Sequence, residues 1–175
     1  MKYIQKRQRY EASNFSFQPD GQVGISYNWW IFSTEYDDKL IFNNTTYSPS
    51  TTKHQSKGYS HLSRKPDLVL RNTRESLADL PNAFADEINN NQIDINSLIR
   101  AIEKPRSHKR KNEERIQEIN WLIRRSKMIT EFGKSLGFNV RQPKRFDILP
   151  TTLIGKGLYP NIAVNTGEFL VLRNN

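Results

Sequence analysis

The sequence predicts an α+β fold: an N-terminal antiparallel sheet with a packed helix, then a helical region with one long helix and a C-terminal hairpin. Apolar and polar residues alternate in much of the first 47 residues, as in strands with one buried face. Apolar residues then recur at helical spacing through the middle of the chain. The three Trp, seven Tyr and nine Phe provide bulky side chains for a core.

We expect three regions along the 175 residues. A β-rich domain with a basic helix occupies 1–74, and a helical region occupies 75–138. A loop and a β-hairpin, "IAVNTGEFLVL" at 162–172, occupy 139–175, and this hairpin could rejoin the N-terminal sheet.

The first strands are predicted on either side of the turn signal Pro19-Asp20-Gly21. We interpret residues 23–32 as one strand that begins with a solvent-facing side and ends covered on both sides, at Trp30 and Phe32. A helix or another chain must then pack over these two rings. Aromatic rings on a sheet can also stack on bases, but that requires Trp29 or Trp30 to be exposed. Four bulky residues in succession favour burial instead.

The next stretch, "TEYDDKLIF" (34–42), predicts a hairpin with Asp37-Asp38 at its tip. Because the tip lacks glycine, we expect a type I turn with a longer loop rather than a two-residue primed turn. A helix should follow, with Ser48 as N-cap and Pro49 at its first position, and Pro66 should stop it. Residues 67–70 predict a short strand.

The helical region is predicted to contain three helices. One covers residues 75–90, "NNNQ" at 89–92 forms a linker, and a short amphipathic helix ends before Pro105. The longest helix, over about 107–136, should end at Gly137 as C-cap.

The chain lacks the residues that several classes of protein function require. The chain has no cysteine, which excludes disulfides and thiolate chemistry, and three histidines are too few to indicate a metal site. Pro66-Asp67 lacks the acid-x-Lys partner of a nuclease motif, and no phosphate loop or serine nucleophile motif occurs. We therefore assign no catalytic residue, metal or cofactor and favour a protein that is not an enzyme. No apolar run reaches membrane-spanning length, so we expect a cytoplasmic protein with no membrane partner.

The distribution of charge is the most informative feature. The net charge is +9, and two blocks, 48–75 and 105–145, carry +4 and +8, separated by a block of −3 at 76–104. Clustered positive charge attracts polyanions such as DNA or RNA.

We expect the nucleic-acid contacts to come from the cations in these two blocks and from one histidine in the first block. The predicted contacts are Lys53, His54, Lys57, Arg64, Lys65, Arg106, Lys109, Arg110, Lys111, Arg124 and Arg125. The cations at 108–111 could instead lie in a solvated loop, with the long helix beginning near Asn112 and its glutamates in the first turn.

Residues 26–57 resemble a small family of uncharacterised basic domains found in bacteriophage genomes. The resemblance is carried by Ser26, Tyr27, Trp29, Trp30, Phe42, Asn43, Tyr47, Ser48, Thr51, Lys53, His54, Gln55 and Lys57. It covers less than a quarter of the chain. It implies a phage or prophage origin and a hairpin followed directly by a basic helix, and it supplies no catalytic residues.

Three functions are compatible with these patterns. The leading hypothesis is a non-enzymatic nucleic-acid-binding protein of phage type. The alternative is a phage-encoded interaction protein that binds a host enzyme or ribonucleoprotein machine and inhibits or redirects it. A nuclease with dispersed carboxylates is a third hypothesis, without a supporting motif.

Overall fold

The computed structural model describes residues 10–12, 14–103 and 109–140. They form two compact units: one contains the described residues up to Glu87 together with Phe132–Val140, and the other contains Ile88–Glu131. The α+β class is confirmed. The hairpin predicted at 162–172 lies outside the described residues, and the region boundaries predicted after residues 74 and 138 stay predictions.

A six-stranded sheet forms the centre of the first unit. Its strands are β1 (Tyr10–Ala12), β2 (Phe15–Gln18), β3 (Val23–Ser26), β4 (Trp30–Tyr36), β5 (Lys39–Asn43) and β6 (Leu68–Leu70). They lie in chain order, with antiparallel neighbours from β1 to β5. The predicted strand at 67–70 is confirmed as β6, which pairs parallel to β5. A parallel pair needs a crossover, and helix α1 (Pro49–His61) provides it.

Helix α1 packs on one face of this sheet and covers the ring of Phe32, for which we predicted a covering helix or chain. Ser48 caps it, because its Oγ accepts the backbone N–H of Thr51 at 3.1 Å, and Pro49 is its first residue, as predicted. Gly58 lies against the ring of Phe32, where an added Cβ would come within 2.5 Å of the ring. The glycine therefore permits a close approach between helix and sheet.

The stretch "SYNWWIF" is a hairpin, and the prediction of one continuous strand over 23–32 is wrong. Tyr27 and Asn28 have φ angles of 54° and 64°, in the left-handed region, and they turn the chain between β3 and β4. Trp30 is 3% exposed, whereas Trp29 is 63% exposed. The turn thus separates the two neighbouring tryptophans, and burial of both rings is also wrong.

The hairpin between β4 and β5 has the predicted tip but a different turn. Asp37 and Asp38 have φ angles of 49° and 57°, and Tyr36 pairs directly with Lys39. This is a two-residue turn of the primed type, not the type I turn with a longer loop that we predicted. The reason is that aspartate, like asparagine, tolerates the left-handed conformation without glycine.

Two long helices follow, α2 (Leu80–Glu103) and α3 (Lys109–Ser135). The predicted "NNNQ" linker is wrong, because α2 continues through it, and buried Asn91 donates from Nδ2 to Ser126 Oγ at 3.2 Å. The alternative start of α3 near Asn112 is also wrong, since the helix begins at Lys109. Gly137 is confirmed as C-cap: its φ is 79°, and the N–H of Phe138 donates to the Gly133 carbonyl.

Candidate functional site

The turn between β3 and β4 meets the first half of α1 at His54. The Ser26 Oγ and His54 Nδ1 atoms are 2.7 Å apart. The His54 ring stacks on Phe15, with ring centroids 5.6 Å apart, and the Tyr27 ring is tilted against the His54 ring at the same centroid distance. His54 is therefore held in place by a hydrogen bond and two aromatic contacts.

The surroundings of His54 disfavour protonation of its ring. Partial burial lowers the pKa of His54 below its usual value, and the positive charge of Lys57 lowers it further. The lowered pKa favours the neutral ring, which offers an apolar surface and a hydrogen-bonding nitrogen. The sequence-based assignment of His54 to a phosphate contact stays a prediction.

Two exposed aromatic side chains extend from this turn. Trp29 is the most exposed of the tryptophans, and Tyr27 is also exposed. The turn that carries them is fixed, because the backbone N–H of Tyr27 donates to the Asn14 carbonyl at 2.8 Å. Exposed rings on a fixed backbone are suited to stacking against a flat ligand.

Lysines complete this region, which we call the α1 surface and define as Tyr27, Trp29, Lys53, His54 and Lys57. Lys53 and Lys57 are exposed and lie one helical turn apart. Helix α1 contains no Asp or Glu, so no acidic side chain of the helix itself offsets their charge. The structure therefore places His54, with Lys53 and Lys57 on the same helix, against Tyr27, and exposed Trp29 belongs to the same turn as Tyr27.

Arg64 has another role in this unit. Its guanidinium lies 3.3 Å from a Glu35 oxygen and 2.6 Å from Asp67 Oδ2, and it also donates to the Asp38 carbonyl. Hydrogen bonds to Asp67 and Glu35 raise the pKa of Arg64. The pKa of Asp67 is lowered, mainly by the hydrogen bond from the backbone N–H of Leu40 and to a smaller extent by the hydrogen bond and charge of Arg64. Arg64 thus ties the β4–β5 hairpin to the segment before β6, while its neighbour Lys65 is exposed.

The remaining predicted contacts lie on or near α3. Lys109 is its first residue, Lys111 and Arg124 are exposed, and Arg110 pairs with Glu114 at 3.7 Å. Arg125 lies over the Trp121 ring, 5.5 Å from its centroid. At about 1.5 Å per residue, the cations at 109–111 and at 124–125 are roughly 20 Å apart along the helix, so they do not form one patch. Arg106 lies outside the described residues.

A cavity of about 400 Å³ lies on the opposite flank of α1, beside β5 and β6. Gln55, Tyr59 and Arg71 are among its lining residues. Within residues 10–12, 14–103 and 109–140, no cluster of three or more His, Cys, Asp or Glu side chains is arranged to hold a metal ion. In the same ranges, no helix is long and apolar enough to cross a bilayer.

Sequence reasoning missed Tyr27 and Trp29 because it assigned residues 23–32 to one continuous strand without a turn. The available signal was Asn28, which readily adopts a left-handed backbone and is flanked by two strand-like segments. The cavity had no comparable signal, since its residues come from α1, β5 and β6 and meet only in the fold.

Comparisons with known proteins return no match: no family model, no curated protein sequence and no solved structure is significantly similar to this chain. The resemblance of residues 26–57 to phage domains stays a prediction.

Proposed function

We propose that this chain is a non-enzymatic nucleic-acid-binding protein of phage type, acting in the host cytoplasm, and that the α1 surface is its contact site. Lys53 and Lys57 neutralise backbone phosphates, and Trp29 and Tyr27 stack on unpaired bases. This arrangement favours single-stranded over duplex nucleic acid, because bases inside a duplex are not available for stacking on a side chain.

The exposure of Trp29 is the observation that carries this proposal. A tryptophan that is 63% exposed leaves a large apolar ring in water, whereas its neighbour Trp30 is almost fully buried. The exposed ring belongs to the turn that contacts a helix with two lysines and no acidic residue. Stacking platforms combined with positive charge are typical of proteins that bind single strands.

Binding of a fluorescent single-stranded oligonucleotide, measured by anisotropy at about 50 and 200 mM salt, tests the proposal. We expect a steep loss of affinity with salt and a loss of roughly tenfold for Trp29→Ala at low salt. The matched control is Trp121→Ala, which removes another exposed tryptophan and should leave affinity unchanged. Equal losses for both variants, or no binding by the native chain at low salt, would contradict the proposal.

A specific observation also favours the alternative function, binding to a host enzyme or ribonucleoprotein machine. Trp121 and Met128 are both exposed and lie seven residues apart, hence on one side of α3, with Arg125 over the Trp121 ring. Tryptophan, methionine and arginine are enriched in protein interfaces.

This second function predicts that the chain retains a host protein after nuclease treatment of the lysate. Trp121→Ala and Met128→Ala should abolish the retention, while Trp29→Ala should leave it unchanged. Retention that disappears with nuclease treatment would instead assign the contact to nucleic acid.

A further inference from the structure

The cavity beside α1 is built at the ends of the two parallel strands. Asn44 directly follows β5 and Arg71 directly follows β6, and both residues line the cavity. The backbone N–H of Asn44 donates to the Leu70 carbonyl, and that of Arg71 donates to Glu87 Oε2 at 2.7 Å. Polar side chains at the carboxyl ends of parallel strands are a common setting for ligand sites, and here the backbone that carries them is anchored.

The lining combines aromatic and apolar surface with polar groups. Phe42 and Val69 supply apolar surface, and the Tyr59 ring meets Phe42 edge to face, with centroids 5.2 Å apart. Arg71 is exposed and provides a positive charge. A volume of about 400 Å³ lies within the usual range of small-ligand sites, roughly 300–1,000 Å³.

Gln55 lines the cavity and carries an unpaired hydrogen-bond acceptor. Its Nε2 donates to the carbonyls of Asn43 and Thr45, at 2.8 and 3.0 Å, and this pair of acceptors fixes the orientation of the amide. Its Oε1 is buried and has no hydrogen-bond partner in the structure. Leaving a buried acceptor unpaired is unfavourable, so a ligand N–H group that reached Oε1 would be bound selectively.

The cavity and the aromatic rings of the α1 surface lie on opposite flanks of the same helix. His54 contacts β3, whereas Gln55 and Tyr59 contact β5. Lys53 is exposed on the side of α1 away from buried Gln55 and Gly58. A nucleic-acid strand that crosses the helix, about 10–12 Å wide with its side chains, would therefore pass over the lysines between the two flanks.

We infer that this cavity binds the base of one unpaired nucleotide, whose strand crosses α1 from Trp29; the inference rests on the proposed function. The base packs against Tyr59 and Phe42, an N–H of the base donates to Gln55 Oε1, and Arg71 binds the adjoining phosphate. Because Oε1 is covered by its surroundings, the side chains around it shift as the base enters.

The test uses single-stranded oligonucleotides that carry one 2-aminopurine, a fluorescent base with an exocyclic amino group, at each position in turn. Stacking on an aromatic ring quenches this base. We expect one position whose quenching is relieved by Tyr59→Ala and unaffected by Trp29→Ala, and another position, a few nucleotides away, with the opposite response. Arg71→Gln should weaken oligonucleotide binding about tenfold, and the control Arg100→Gln, on α2, should not.

The outcomes separate this inference from the proposed function. Salt-dependent binding with no position that responds to Tyr59→Ala overturns the base pocket and leaves the α1 surface intact. Equal losses for Arg71→Gln and Arg100→Gln overturn the phosphate contact. Absence of any binding by the native chain at low salt overturns both proposals. Tyr59, Arg71 and Arg100 are exposed, and circular dichroism of each variant verifies that it folds.

Discussion

Helices α1 and α3 are both basic, yet their charges are organised differently. Helix α1 carries two lysines and no acidic residue, whereas α3 interleaves its cations with glutamates, including the Glu114 that pairs with Arg110. Exposed ion pairs contribute little to stability, but they reduce the potential that a polyanion encounters. The larger number of cations on α3 does not by itself make it the stronger candidate, because acidic side chains lie among them.

The two helices also differ in what surrounds their aromatic residues. Beside α1, Trp29 extends from a turn and is not covered by an arginine among the contacts of the described residues. On α3, Arg125 already lies over Trp121. A ring stacked with a cation has one face occupied, which is less suited to base stacking and better suited to a protein interface.

The largest effect is expected from Gly58→Ala, which tests whether α1 packs as closely on the sheet as the geometry of the α1 surface requires. The new Cβ would lie 2.5 Å from the Phe32 ring. Overpacking costs about 1–3 kcal/mol, and the better helix propensity of alanine offsets up to about 1 kcal/mol of this. We expect the free energy of unfolding, measured with urea, to fall by about 1–2 kcal/mol.

The control for this change is Ser60→Ala on the exposed side of α1, which should alter the free energy of unfolding by less than about 0.5 kcal/mol. If Gly58→Ala were as stable as the native chain, the helix would have to lie farther from Phe32, and the geometry of the α1 surface would need revision.

Removing matched lysine pairs compares the two helices directly. Lys53→Gln with Lys57→Gln should weaken oligonucleotide binding roughly tenfold at low salt, and the slope of log affinity against log salt should decrease by about 0.7 per lysine. Lys127→Gln with Lys134→Gln removes the same charge from exposed positions on α3 and should change both quantities little. Equal effects of the two pairs would show that only net charge matters.

The smallest effect concerns pH, and it should be specific to α1, because α3 contains no histidine. The pKa of His54 is lowered in the folded protein relative to an unfolded value of about 6.5, so the folded state binds fewer protons. The contribution of His54 to stability is therefore complete above pH 6.5 and decreases as the pH falls below it. Urea unfolding at about pH 7.5 and pH 5.5 should show this decrease.

His54→Gln should reduce that pH dependence, and His61→Gln should retain it, since His54 is still present. A native chain that gains stability on acidification through this range would contradict the partial burial of His54 and its proximity to the Lys57 charge.

Much of the fold followed from local patterns in the sequence. The Ser48-Pro49 start of α1, the Gly137 end of α3 and the strand at 67–70 each have a chemical signal within a few residues. The errors arose where tertiary structure overrides such signals. Asn91 reads as a linker residue but is buried and bonded to Ser126 Oγ, and Asp37-Asp38 forms a primed turn without glycine.

The candidate site was less accessible to sequence reasoning than the fold. Lys53, His54 and Lys57 were identified because they share one helix and one charge pattern. Trp29 was assigned to the core because the turn at Tyr27-Asn28 was not predicted, and this turn is what exposes its ring. Arg64 illustrates the opposite case: its charge was interpreted as available, but Glu35, from a distant part of the chain, and Asp67, three residues away, already bind it.

The parallel pairing of β5 with β6 has a consequence for the order of folding. Strands β1 to β5 are joined by short turns and can assemble through contacts that are near in sequence. The pairing of Ile41 in β5 with Leu68 in β6 instead joins residues that are far apart in the sequence. Closing that long loop costs chain entropy before any pairing is gained, which slows the step. We therefore expect a fast phase in which the meander forms and a slower phase in which β6 docks, and only the second phase completes the walls around Gln55.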